Sequence, residues 1–340
     1  MGKRKGFIHL IEIIFISIVV LLLLNQFTVI PPARSSWDRE KLALIGSDLL
    51  FSLDMTGIDW FDRGQVSASI EKALEVTNVR HSVSIRNALS PSLSVGCICT
   101  LQELSILQGY LEPFAINNRT INFTVTRIEH TSPAFPVSHD AIVIGQTSFL
   151  SQNLTSLQQD METYLSTGRG LVAFSDPLSP NEVQRGIFGL KSLPSPASGS
   201  VVFSDADNEA TRKIRRLLFS IPGTNLTGRP SASFGQQANT TLSAQPGFAA
   251  PLQVEGSEAA AMILGRKDSG KTGWLLRGIE NEGVLLKALV LYAAPDMLEL
   301  IKADMKRPLT FSLFKIIGEN DYSPGMFEAY EVILKLEFAF

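Results

Sequence analysis

Cysteine is nearly absent from this chain. Its 340 residues contain two, Cys97 and Cys99, in the stretch GCIC. That excludes a disulfide-scaffolded domain and a cysteine zinc site, which needs a second pair. A bond across one residue is uncommon. The two are therefore expected as strand residues on one face, packed as small hydrophobes, with a redox or inter-chain role as the alternative. Charge of one sign is lacking too: 30 Lys and Arg face 33 Asp and Glu, a net charge of −3. No basic excess calls for nucleic acid, and no acidic excess signals disorder. No internal repeat is evident. Neither a cofactor nor a metal is expected.

The N-terminus departs from this even texture. Lys3, Arg4 and Lys5 precede FIHLIEIIFISIVVLLLLNQF, residues 7–27, interrupted mainly by His9 and Glu12. At about 1.5 Å per residue the run matches a hydrocarbon core of roughly 30 Å. It is long for a secretory signal, and no A-x-A site follows. The basic cluster is expected to stay in the cytoplasm, with everything after about residue 30 outside. The expected localisation is the cell membrane, single-pass, with the N-terminus cytoplasmic. Five Asn-x-Ser/Thr sequons, at Asn118, Asn122, Asn153, Asn225 and Asn239, agree with an exported, glycosylated surface.

Beyond Pro31-Pro32, Leu42, Ile45, Leu49 and Leu53 fall at helical spacing, and QVSASIEKALEVT reads as a second helix. HSVSIRNAL and LSVGCIC alternate with period two. From Thr100 helices and strands alternate: helix LQELSILQGYLEPF, strand TINFTVTRIE, buried strand HDAIVIG, amphipathic helix 153–167, buried strand GLVAFSD. This rhythm predicts a parallel sheet covered by helices. Residues 190–250, rich in Ser, Pro, Gly and Asn, read as loops around one helical island. Arg212, Lys213, Arg215 and Arg216 on that island read as a solvated basic face. PLTFSLFKII and YEVILKLEFAF close the chain as a hairpin-like pair.

Residues 265–272, GRKDSGKT, match the G-x-x-x-x-G-K-[ST] phosphate loop at every fixed position. A working loop needs a helix opening at its GK[ST]. Here GWLLRGI follows instead and reads as a returning strand. The stretch is therefore expected to be a turn between antiparallel strands, with Gly265 and Gly270 supplying positive φ and Lys267, Asp268 and Lys271 solvated. No nucleotide is expected.

HDAIVIGQTSFL, a helix ending in YLSTGRG, LVAFSD and GKTGWLLRGIENEGVLLKALVLYAA together resemble the class I glutamine amidotransferase-like domains, a flavodoxin-like α/β group. The resemblance covers roughly residues 80–300. It implies a nucleophilic Cys on a G-x-C-x-G turn with a downstream His. The strand 171–175 runs instead into Ser175-Asp176-Pro177, and His81, His130 and His139 all precede it. The block thus looks like a non-catalytic member. KRKGFIHLIEIIFISIVVLLLL in turn resembles archaeal type IV pilin-like N-termini. That resemblance implies cleavage after Gly6, a mature start at Phe7 and an assembly role for Glu12. Glu12 is the sixth mature residue, whereas the bacterial pattern has the acid fifth.

The expectation is an α/β protein: a flavodoxin-like parallel-sheet ectodomain with one N-terminal transmembrane helix and a C-terminal antiparallel β pair. Its parts are an anchor (1–30), a helical stalk (31–78), an amidotransferase-like domain (79–300) and a β pair (301–340). The expected role is structural or binding, pilin-like or envelope-associated, without catalysis. The alternatives are a tethered auxiliary or ligand-binding subunit of a transporter, and a hydrolase using Ser175 or a Cys. The expected partners are the membrane and either a second copy or an envelope protein.

Overall fold

The computed structural model describes residues 33–75, 78–86, 91–116, 119–128, 138–150, 154–176, 179–204, 208–221, 233–279, 281–318 and 327–338. In chain order the elements are helix α1 (Ala33–Met55), helix α2 (Arg63–Leu74), strands β1 (Val79–Arg86) and β2 (Ser92–Ile98), and helix α3 (Leu101–Tyr110). Strands β3 (Phe114–Ile116), β4 (Arg119–Arg127) and β5 (Ala141–Gly145) follow, then a 3-10 turn (Gln146–Leu150), helix α4 (Leu154–Ser166), strand β6 (Gly170–Phe174) and helix α5 (Glu182–Phe188). Next come strand β7 (Leu190–Phe203), helix α6 (Glu209–Ser220), and strands β8 (Ser233–Ala244), β9 (Ala249–Val254), β10 (Ala260–Lys267) and β11 (Gly270–Leu275). Helix α7 (Glu282–Ala293) and strands β12 (Met297–Ile301), β13 (Leu309–Gly318) and β14 (Phe327–Phe338) complete the chain.

One unit comprises residues 85–298 and 314–331. Its ten-stranded sheet has the order β3-β4-β2-β5-β6-β11-β10-β9-β7-β8. The run β4-β2-β5-β6-β11 is parallel throughout, and the pairings outside it are antiparallel. Every residue of β5 (AIVIG) and β6 (GLVAF) is buried. That explains their unbroken apolar sequence: a parallel strand covered on both faces has no water-facing side to make polar. Helix α7 is buried along most of its length. A Cβ on Gly273 of β11 would collide with the Leu289 side chain of α7, so the glycine sets how closely helix and sheet approach.

The other unit comprises 33–84, 299–313 and 332–338. It contains α1, α2 and segments of a four-stranded sheet of order β12-β1-β14-β13. Helix α2 starts at Asp62, whose side chain accepts a hydrogen bond from Gln65 N at 3.0 Å. That satisfies one of the orphan N–H groups of its first turn. The helix buries Val66, Ile70 and Leu74, spaced at i, i+4, i+8. In α1, a Cβ on Gly46 would run into the ring of Phe311, so glycine there lets helix and strand meet closely.

Three sequence expectations need correction. Residues 190–250 are not mainly loops: β7, β8 and β9 occupy much of them. Polar composition and two prolines hide the strands. The β7–β8 register breaks between Ser192 and Ala197, across Pro194 and Pro196, which cannot donate to a ladder. Cys97, in β2, and Cys99, just past its end, are both buried, but they are joined to each other by a disulfide rather than packed as free thiols. Third, no helix among the described residues is long and apolar enough to cross a membrane. The expected span 7–27, with Gly6, Phe7 and Glu12, lies outside the described residues.

Candidate functional site

The chain leaves β2 for β4 on one side and then returns to β5 on the other. The sheet therefore has a topological switch point between β2 and β5, and crevices of this kind lie beyond the carboxyl ends of the strands. Four parallel strands end there, each followed by polar residues: Thr100 after β2, Gln146, Thr147 and Ser148 after β5, Ser175 and Asp176 after β6, and Arg277 after β11.

Glu103 sits at the centre. It is the third residue of α3 and closes a capping box with Thr100, which starts the helix. Its Oε2 accepts hydrogen bonds from Thr100 N at 2.9 Å and Thr100 Oγ1 at 3.2 Å. The same oxygen accepts from Thr147 Oγ1 at 2.7 Å, while Oε1 accepts from Thr147 N at 3.4 Å. One buried carboxylate thus joins the ends of β2 and β5. Burial pushes its pKa up, but donation from Thr100 and Thr147 outweighs this and holds it below the usual carboxylate value. Gly145 makes room for it: a Cβ there would lie 2.6 Å from Oε2. Ser148 Oγ adds a second tie, donating to Ile98 O at 2.7 Å.

Arg277 faces this carboxylate with Nη1 3.8 Å from Oε1, beyond hydrogen-bond distance. Its guanidinium carbon lies 5.8 Å from the centroid of the Phe174 ring, a cation–π spacing. Tyr110 packs edge-on against Phe174 and donates to Glu282 Oε2 at 2.7 Å. Glu282 Oε1 accepts from Gly278 N. Burial, then the Glu282 hydrogen bond, pushes the Tyr110 hydroxyl up to about 12, so it stays a donor at neutral pH. Burial also raises the pKa of Asp176.

Ser175 is fully buried. Its Oγ accepts from Trp274 Nε1 at 3.2 Å, and its N donates to Leu275 O. No imidazole reaches it among the described residues. His139 precedes β5, at the opposite end of the strands, and its Nδ1 pairs with Ser94 Oγ at 2.9 Å. Cys97 and Cys99 are spent on each other. Among the described residues no group of three or more His, Cys, Asp and Glu is placed to hold a metal ion.

The phosphate-loop stretch is the β10–β11 hairpin, paired from Met262–Leu275 to Lys267–Gly270. Positive φ falls on Asp268 (54°), not on Gly265 or Gly270. Those glycines are required for space: a Cβ on Gly265 would strike Phe248, and one on Gly270 would strike Arg169 O. Nor is Lys271 solvated. It is buried in β11, with Nζ 2.5 Å from Asp296 Oδ1 and 3.1 Å from Ala294 O. The next helix opens only at Glu282, so no helix N-terminus meets a phosphate at Lys271. Lys213 of the basic island binds the same Asp296 oxygen at 2.5 Å. Arg215 donates to Ser204 O at 3.1 Å and lies over the Phe203 ring. Two of the four island cations thus serve the fold rather than a solvated face.

Of the sequons, Asn122 is exposed on β4 and Asn239 is exposed on β8. Asn118, Asn153 and Asn225 lie outside the described residues. Sequence reasoning missed Glu103, Arg277 and Tyr110. The T-x-x-E capping signature at Thr100–Glu103 was the one signal available for them.

No known protein family matches the chain, and no curated protein matches it by sequence. Similar solved structures include a protein from Salmonella typhimurium LT2 described as cytoplasmic: 15% identity, 60% of this chain and 99% of that one, TM-score 0.36. A ThuA-like protein from Parabacteroides merdae shares 11% identity over 59% of this chain and 88% of its own, TM-score 0.35. A β-galactosidase from Bacillus circulans shares 7% identity over 72% of this chain and 41% of its own, TM-score 0.35. The membrane-anchored, pilin-like half of the combined resemblance needs correction. No helix among the described residues is long and apolar enough to cross a membrane, and the run on which the pilin-like resemblance rested, 7–27 with Gly6, Phe7 and Glu12, lies outside them. The expected single-pass architecture is corrected to what the described residues show, which is that none of their helices crosses a membrane. The chain is a mixed α/β protein built on a large sheet with a parallel core.

Proposed function

We propose that this chain is a non-catalytic binding module on a flavodoxin-like sheet, taking a small polar ligand at the carboxyl ends of β2, β5, β6 and β11. One observation carries the reading. Arg277 lies over Phe174 at the carboxyl ends of β6 and β11 and makes no hydrogen bond among the described residues. Glu103 does not need it, because both its oxygens are already served by Thr100 and Thr147. A guanidinium carries five donors in a rigid fork. Held by an aromatic face beside a carboxylate that fixes the crevice, it is available to a ligand's acceptor groups.

Ser175 is not set up as a nucleophile. A nucleophilic serine needs an exposed Oγ and a base within hydrogen-bond reach. This Oγ is buried and receives a hydrogen bond from an indole, which cannot accept its proton.

Thermal-shift titration against small carboxylates, phosphates and polyols tests the reading. A ligand that binds only the folded chain raises the melting temperature as its concentration exceeds Kd. The expected result is a saturable rise lost in Arg277→Ala, with the circular dichroism of the parent retained. A rise that persists unchanged in Arg277→Ala removes the crevice from the proposal. Turnover of an ester that Ser175→Ala abolishes removes the non-catalytic reading.

A further inference from the structure

The two sheets have four edges, and they are not alike. Strand β3 ends the large sheet with three residues, Phe114–Ile116. Strand β8 ends it on the other side with a polar sequence, SFGQQANTTLSA, whose register against β7 shifts twice. Strand β12 ends the small sheet with five residues. Short length, polarity and irregularity are the ordinary devices that stop an edge from recruiting another strand. Strand β13 is neither short nor rich in charge. It runs ten residues, LTFSLFKIIG, without proline and with one charge, Lys315. At about 3.3 Å per residue its edge is roughly 30 Å of backbone, and no strand pairs with its outer side among the described residues.

From Leu309 to Lys315 its side chains alternate between half-buried and exposed. Phe311 and Leu313 are half-buried, Phe311 against Gly46 of α1. Thr310, Ser312 and Phe314 are exposed, and Phe314 is 74% exposed at the middle of the strand. A central aromatic on a bare edge is self-complementary under a two-fold axis. In an antiparallel pair centred on Phe314, each Phe314 faces its own copy. Lys315 then falls opposite Leu313 of the second copy, so like charges do not meet. A pair centred one step along would set Lys315 against Lys315, which is destabilising.

We propose that β13 is a self-association edge: two copies of this chain pair antiparallel through β13, in the register that places Phe314 against Phe314. The ladder supplies backbone hydrogen bonds, and the two rings bury each other across the two-fold, as aromatic cross-strand pairs do.

Sedimentation velocity of the full chain in mild detergent, with oxidative cross-linking, tests this. Directly opposed residues of an antiparallel pair have Cα atoms about 4.5–5.5 Å apart, within reach of a disulfide. The parent is expected to sediment as a dimer, and Phe314→Lys as a monomer with unchanged circular dichroism. Phe314→Cys is expected to give a covalent dimer on a non-reducing gel. Thr310→Cys, which in this register faces position 318 of the second copy, is expected not to. A monomeric parent overturns the proposal. So does a dimer that Phe314→Lys leaves intact, or equal cross-linking by Thr310→Cys.

Discussion

Lys271 Nζ and Asp296 Oδ1 lie 2.5 Å apart, and Lys213 Nζ reaches the same oxygen at the same distance. The contact ties the β10–β11 hairpin to α6 and to the end of α7. It also ends the nucleotide reading of GRKDSGKT on physical grounds, since the lysine that would meet a phosphate is already committed. Burial, then the neighbouring Lys213, holds Lys271 at about 8, with Asp296 acting the other way. At neutral pH Lys271 and Asp296 are charged. Lys271→Ala should cost about 1–3 kcal/mol, the range for leaving buried hydrogen-bonding groups without a partner. Lys271→Met, which keeps the apolar stem, should cost less. Urea denaturation measures both, and a Lys271→Ala midpoint equal to the parent's would refute the structural role.

Asp296 and Glu103 give the fold an acid limit. Burial works to raise both pKa values. Lys271 and Lys213 outweigh it at Asp296, and the Thr100 and Thr147 hydrogen bonds outweigh it at Glu103. Both folded values lie below the ordinary 3.8 and 4.5. For a depressed carboxylate, the stability contribution is present above the unfolded pKa and is lost as pH falls through the folded one. The melting temperature should therefore drop steeply below about pH 4. Asp296→Asn and Glu103→Gln should each start lower at neutral pH and lose less on acidification. Melting curves across the acid range decide it; parallel curves for parent and variants count against the assignment.

His139 adds a second, milder pH dependence. Its ring pairs with Ser94 Oγ and packs close to Gly96. Burial lowers its pKa, with Asp140 opposing. The unfolded chain then takes up a proton near 6.5 that the folded chain refuses, so stability falls as pH drops from there toward the folded value. His139→Gln should flatten the melting temperature between pH 7 and pH 5. NMR titration of the His139 ring measures the shift directly, and a midpoint at or above 6.5 contradicts it.

Gly145→Ala tests the centre of the crevice. Its new Cβ would meet Glu103 Oε2 at 2.6 Å, closer than van der Waals contact permits. The carboxylate must leave Thr147 or the strand end must shift. The expected cost is about 1–3 kcal/mol, the range for overpacking. Denaturant titration checks it, and a cost under ~0.5 kcal/mol would mean that Glu103 moves freely and does not fix the site.

The parallel core was legible because each covered strand writes its burial into consecutive residues: AIVIG and GLVAF are short unbroken apolar runs, each flanked by turn-forming polar residues, and every residue in them is buried. The β10–β11 hairpin was legible for a related reason. A strand-like run directly after GKT leaves no room for a helix. Capping chemistry at Thr100 and Glu103 is local and can be read within four residues. These properties depend on neighbours along the chain, and the amino-acid sequence by itself determined them.

What only the tertiary structure decided depends on neighbours in space. Strands β7 and β8 form from a polar, proline-containing sequence because the sheet beside them supplies partners that no local propensity reveals. Lys271 reads as a turn lysine until Asp296, 25 residues away, is folded beside it. Glu103 became a buttress only when β5 delivered Thr147, 44 residues on, to its carboxylate. Pairing of this kind is set by strand order. Strand order is a global outcome of burying every apolar face at once, so a linear pattern does not carry it.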